Sequence, residues 1–145
     1  MCLSLKRTCV CGQNQAYLMH RDNVLPAEIL VNLFCPQCRD RAAWDATTMI
    51  EDGGWILEYD LEMARLFFWN KGIKQPITPE FLFDEGYCSW HGLTPGDLDE
   101  SARLHRQLAP VLEQDRLLYI QRIKELWLGH VAQLKAAGWR KAQRT

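Results

Sequence analysis

The sequence predicts an α+β protein: an antiparallel β half over residues 1–60, then a mainly helical half over 61–145 that contains one long amphipathic helix. Three observations predict it. Short runs of β-favouring residues, some with apolar alternation, fill the chain up to Asp60. From Asp60 onward apolar residues recur at three- and four-residue steps. Two tight cysteine pairs, Cys9/Cys11 and Cys35/Cys38, each follow a strand-like run in the first half.

Candidate strands are Leu3–Thr8, Ala16–His20, Glu28–Phe34, Ala42–Ile50 and Gly54–Asp60. The last two show the clearest period of two, in Trp44, Ala46, Thr48, Ile50 and in Trp55, Leu57, Tyr59. Between them Glu51-Asp52-Gly53-Gly54 is a hairpin turn, because Asp-Gly and Gly-Gly supply the positive φ such turns demand. Residues 60–72 then place Leu61, Ala64, Leu66, Phe67 and Phe68 on one broad apolar face, with Lys71-Gly72 as a stop. Residues 77–83 and 93–108 each begin near a Thr-Pro pair, an N-cap followed by proline at the first helical position.

The long helix runs from about Pro110 to Ala137, with Val111, Leu118, Ile123, Trp127, Val131 and Leu134 on its stripe. At 1.5 Å per residue it would reach roughly 40 Å, more than a sixty-residue ribbon covers. Its stripe is therefore expected to pack on the preceding helix or on another chain, as a protein partner or a homo-oligomer.

The chain of 145 residues is long enough for one modest core or for a small domain with a helical extension, and too short for two large domains. Hydrophobic residues make up 48% and charged residues 24%, which marks a globular chain, not a disordered one. A net charge of −1 provides no whole-molecule field for nucleic acid or an acidic membrane, so any basic site is local. No run of about 18 apolar residues occurs and the N-terminus has no long apolar segment, so no membrane role and a cytoplasmic location are expected. Six tryptophans are many for this length, and some are expected to face a partner.

In a reducing compartment, two tight cysteine pairs point to a metal in preference to disulfides. Cys9, Cys11, Cys35 and Cys38 supply four soft thiolates as two chelating turns, the donor set that Zn²⁺ takes in closed tetrahedral structural sites. Gly12 and Pro36 suit the sharp turns involved. Such a shell leaves no open position for water or substrate, which argues against zinc catalysis.

Phe34-Cys35-Pro36-Gln37-Cys38 resembles the Cys-Pro-x-Cys knuckle of zinc ribbons and rubredoxins, and Cys11-Gly12 is similar to the Cys-Gly ending of the partner knuckle. The single residue between Cys9 and Cys11 departs from the matched knuckles of iron rubredoxins, so the resemblance implies an antiparallel zinc ribbon holding Zn²⁺. A narrower likeness is to the small zinc-bearing subunit of acetone-type carboxylases: Cys-x-Cys-Gly, an aromatic-Cys-Pro-x-Cys, and a strand ending in acid, as Trp55 to Asp60 does here. It covers less than half of the chain, with a shorter loop between the knuckles, and implies an accessory subunit.

Lys6, Arg7, Arg39 and Arg41 flank the pairs. They suit either compensation of a thiolate–metal charge of about −2 or contact with nucleic acid. Compensation needs no partner, and Asp22, Asp40 and Asp45 dilute the patch, so nucleic acid is the less favoured reading. Cys88 and His91 offer a second suggestion: a thiol- or metal-dependent redox or transfer site, set against a buried thiol beside a loop histidine. Further ligands there would have to come from Cys2, His20 or His105. His130 suits the C-terminal end of the long helix, where the dipole favours a cation. No phosphate loop, dinucleotide fingerprint, Gly-x-Ser-x-Gly elbow or His-Glu-x-x-His helix is present. The expected function is a non-catalytic interaction module or accessory subunit.

Overall fold

A computed structural model describes residues 3–144 and shows a mixed α+β chain with two antiparallel sheets and a long helix near the C-terminus. Cys2 lies outside the described residues. The chain forms two compact units, Met1–His91 and Gly92–Thr145. The α-helices begin at Leu61, yet two of them, and a strand that follows them, belong to the first unit.

In that unit β1 (Leu3–Thr8) pairs with β2 (Gln15–His20), and β2 pairs in turn with a two-residue strand, β6 (Ser89–Trp90). The second sheet has the order β3 (Leu30–Phe34), β5 (Trp55–Tyr59), β4 (Met49–Asp52). Asp52 pairs with Trp55, so Gly53 and Gly54 form a two-residue hairpin loop at φ +58° and +89°. Leu33, Leu57, Tyr59, Phe68, Phe83 and Trp90 are among the buried side chains of this core. Two polar tethers close it. Trp90 Nε1 donates to Asp52 at 2.9 Å, and the Tyr59 hydroxyl donates to the Cys88 carbonyl at 2.6 Å.

Helix α1 (Leu61–Asn70) begins where Asp60 accepts a bond from the Met63 N–H, and it buries Leu61, Ala64 and Phe68. Leu66 faces water instead of joining that face. Helix α2 (Pro79–Asp84) has the expected Thr78 cap, accepting from the Phe81 N–H, and Pro79 in its first turn.

The second unit comprises α3 (Asp97–Gln114), α4 (Arg116–Ala136) and the short α5 (Arg140–Gln143). Asp97 reaches His130 while His105 reaches Tyr119, so partner numbers fall as α3 rises and the two helices are antiparallel.

Four expectations are corrected here. Residues 42–48 form no strand, because Asp45 turns the chain by accepting from the Thr47 N–H and hydroxyl, and pairing starts at Met49. Residues 28–29 belong to a short helical turn before β3. Thr94 is not the cap of α3: Asp97 accepts from the Leu93 and Thr94 N–H groups and the Thr94 hydroxyl, which holds 93–96 as a turn and delays the helix. The long helix does not start at Pro110, which lies inside α3; the break falls at Asp115, whose carboxylate caps α4 through the Leu117 and Leu118 N–H groups.

Candidate metal centre

The turn after β1 folds back on itself, with Gly12 N–H donating to the Cys9 carbonyl and Cys9 N–H to the Asn14 carbonyl, both at 2.9 Å. Gly12 stands at φ +76°, a conformation that a side chain disfavours. Val10 N–H donates to the Leu33 carbonyl at 2.9 Å, so this turn is tied to the end of β3. The second turn leaves β3 directly: Cys38 N–H bonds to the Cys35 carbonyl at 3.1 Å. One backbone bond thus ties the turn that carries Cys9 and Cys11 to the strand that leads into Cys35 and Cys38.

All four sulfurs lie within 4.8 Å of one another, the one group of this kind among the described residues. Cys9 and Cys11 are 2.8 Å apart at sulfur, Cys11 and Cys35 3.6 Å, and Cys35 and Cys38 3.4 Å. All are free thiols. A tetrahedron with metal–sulfur bonds of about 2.3 Å has edges of about 3.8 Å, so two of these edges are near that value and the Cys9–Cys11 edge must open by about 1 Å. Cys9, Cys35 and Cys38 are buried and Cys11 is half-buried. The donors can hold a soft metal ion in an enclosed, all-sulfur shell.

The surroundings favour negative sulfur. Asn14 Nδ2 donates to Cys35 Sγ at 3.2 Å, and the Cys35 N–H donates to Cys38 Sγ at 3.2 Å. Burial acts to raise the Cys9 thiol, but hydrogen bonds from Cys11, the Asn14 backbone and Cys35 outweigh it and bring it down to about 6. Cys35 also falls: burial opposes, and bonds from Asn14 and Cys38 prevail. Cys38 is pushed up to about 11 by burial, and Cys11 is raised chiefly by its bond to Cys9. Without a cation the cluster therefore shares protons between neighbours, because four like charges cannot sit this close. A divalent ion would displace those protons and pair with all four sulfurs.

Asn14 was not singled out by sequence. Its only signal is an amide side chain two residues after the Cys-x-Cys-Gly turn.

Three of the four flanking cations, Lys6, Arg7 and Arg39, have local partners. Arg7 donates to the Ala27 and Leu30 carbonyls at 2.9 and 2.8 Å, Arg39 meets Glu51 at 3.5 Å, and Lys6 lies over the Tyr17 ring at 5.7 Å. Cys88 is fully buried and its thiol is pushed up to about 12 by burial. His91 comes just after β6, with its N–H on the Tyr17 carbonyl and a buried Nδ1 that has no partner. His105 instead meets the Tyr119 hydroxyl, and His130 lies 3.4 Å from Asp97. No helix among the described residues is long and apolar enough to cross a membrane. Comparison with family models, characterised proteins and solved structures returned no match.

Proposed function

We propose that this chain is a small non-catalytic zinc-ribbon protein that acts as an interaction module or accessory subunit of a larger assembly. The observation that carries the reading is α4. Only Leu134 is buried in its twenty-one residues, while Leu117, Ile120 and Leu128 are 73%, 52% and 57% exposed. Soluble helices rarely leave that much apolar surface to water unless something covers it. The four-sulfur group supports the other part: zinc with four thiolates is a closed, structural centre that holds the turns of the first unit together.

Support for the redox alternative at Cys88 and His91 is weaker. A reactive thiol needs access and a lowered pKa, and Cys88 has the opposite environment. The nucleic-acid alternative loses force where Arg7 and Arg39 are engaged within the chain.

The test is purification from the native cell with metal retained, with metal analysis, an absorption spectrum and identification of what co-elutes. One zinc per chain, a colourless centre and a stoichiometric large partner or a self-assembly are expected. Visible thiolate-to-iron absorption, or a monomer with thiol-dependent turnover, would overturn the reading.

A further inference from the structure

Among the described residues seven large apolar side chains of the second unit are exposed, and five of them share one side, Leu118 and Leu126 being the exceptions. Helical periodicity of 100° per residue places Leu117, Ile120 and Leu128 on one side of α4, next to the stripe that faces α3. Leu98 and Leu112, 40% and 43% exposed and two heptads apart, share one side of α3. Glu100 and Arg103 of α3 line a common cavity with Leu126 and Gln133 of α4. That cavity marks one side of the antiparallel pair. Leu98, Leu112, Leu117, Ile120 and Leu128 lie about half a turn round each helix from it, so they lie together on the other side.

From this we infer that the face is covered by a second copy of the chain, giving an antiparallel four-helix bundle; the inference rests on the interaction-module reading and names its partner. Two further observations select a second copy. First, the charges off the cavity side differ in sign: with Asp97 bonded to Thr94 and His130, and with Glu100 and Arg103 at the cavity, α3 keeps Asp99 and Glu113 against Arg106, net −1, whereas Lys124 and Lys135 lie by helical periodicity on the Leu117–Leu128 side of α4, net +2. A two-fold axis parallel to the helices lays α3 of each copy on α4 of the other, antiparallel, and pairs acidic helix with basic helix on both sides. Secondly, the area suffices. A face about 30 Å long and two helix diameters wide offers about 600 Å² per copy, or about 1,200 Å² in total, the lower bound of stable interfaces.

Sedimentation velocity of the full-length, zinc-loaded protein over a concentration series tests the inference. The expected species has twice the 16.9 kDa chain mass. Leu117→Glu combined with Leu128→Glu should weaken it about a hundredfold or more, because each change occurs twice in a two-fold interface. Both positions are exposed, so unchanged zinc content and circular dichroism show that the fold survives. Leu126→Glu, on the cavity side, should leave the dimer intact. Salt reads the pairing: moving from about 0.1 to 1 M should loosen α3-on-α4 contacts, whereas pairing like helices would tighten.

A monomer at every concentration overturns the inference, as does a dimer that ignores the double substitution or yields to Leu126→Glu. A monomer that still co-elutes with a large foreign chain would remove the second copy and leave the accessory-subunit reading standing. A monomer without any such partner would remove both.

Discussion

Replacing Cys35 by serine takes away the most enclosed of the four sulfurs, fully buried and within 3.6 Å of two others. A serine hydroxyl is a harder donor than sulfur and stays protonated near neutral pH, so the shell keeps three thiolates and an open corner. Structural zinc in small peptides binds with about 10–16 kcal/mol, which is roughly 2.5–4 kcal/mol per thiolate if shared equally. At about 1.4 kcal/mol per decade, the variant should bind zinc about 10²–10³ times more weakly. The same loss is a large part of a total folding stability of about 5–15 kcal/mol. Titration against a chromophoric chelator gives the affinity, and thermal unfolding with and without excess chelator gives the stability. The loaded wild type should unfold well above the chelated wild type, with Cys35→Ser close to the latter. Equal zinc affinity in variant and wild type, or a chelated wild type that melts where the loaded one does, would refute the assignment of these sulfurs to a structural ion.

Cys88, with its thiol held near 12 by burial, should resist alkylation by iodoacetamide in the native protein and react only on unfolding; peptide mapping by mass spectrometry reads this directly. His20 is lowered mainly by burial, with the Arg7 charge adding to the effect. The unfolded chain therefore binds its proton more readily, so the stability contributed by neutral His20 is complete above about pH 6.5 and is lost as pH falls below that value. Urea unfolding at stepped pH should show this slope in the wild type and less of it in His20→Phe. Asp115→Ala removes the cap that starts α4 and should cost about 1 kcal/mol, seen as a lower denaturant midpoint with reduced helical signal. Gly92 stands at φ +94°, where an added Cβ would meet Asp97 Oδ2 at 2.8 Å; Gly92→Ala should cost about 1–3 kcal/mol in the second unit, checked by the same denaturant curves.

Which parts of the fold could be read in advance follows from the range of the interactions that decide them. Leu3–Thr8, the Gly53-Gly54 hairpin and the Thr78-Pro79 helix start are decided by neighbours within a few residues, and sequence reading found all three. The four-cysteine group was readable for a similar reason: pair spacing alone implies chelating turns. Strand β6 was missed, because Ser89-Trp90 extends only by pairing with β2 some seventy residues earlier. Ala42–Thr48 alternates in sequence but is turned by Asp45, a side-chain competitor that periodicity does not weigh. The break at Asp115 was misplaced to Pro110 by weighting the proline over the cap. Asn14 was invisible because its role depends on where Cys35 arrives.

The two units meet the cost of ordering a short chain in different ways. The first buries 22 hydrophobic residues, Trp90, Phe68 and Phe83 among them, and brings a four-cysteine group to the join between its cysteine turns. The second has 54 residues, and its buried hydrophobics among the described ones are Leu104, Leu108, Leu134 and Ala142. A helical unit with so few fully buried positions has little core to set against the conformational entropy of its own length. It also has no metal group of its own among the described residues, and its polar ties, such as Asp97 with Thr94 and His130, fix geometry more than they add stability. What it does have is an apolar face left open beside the one already in use. Covering that face would add core where the unit lacks it, so the same surface that makes the helical unit fit for association is the one it most needs for its own stability.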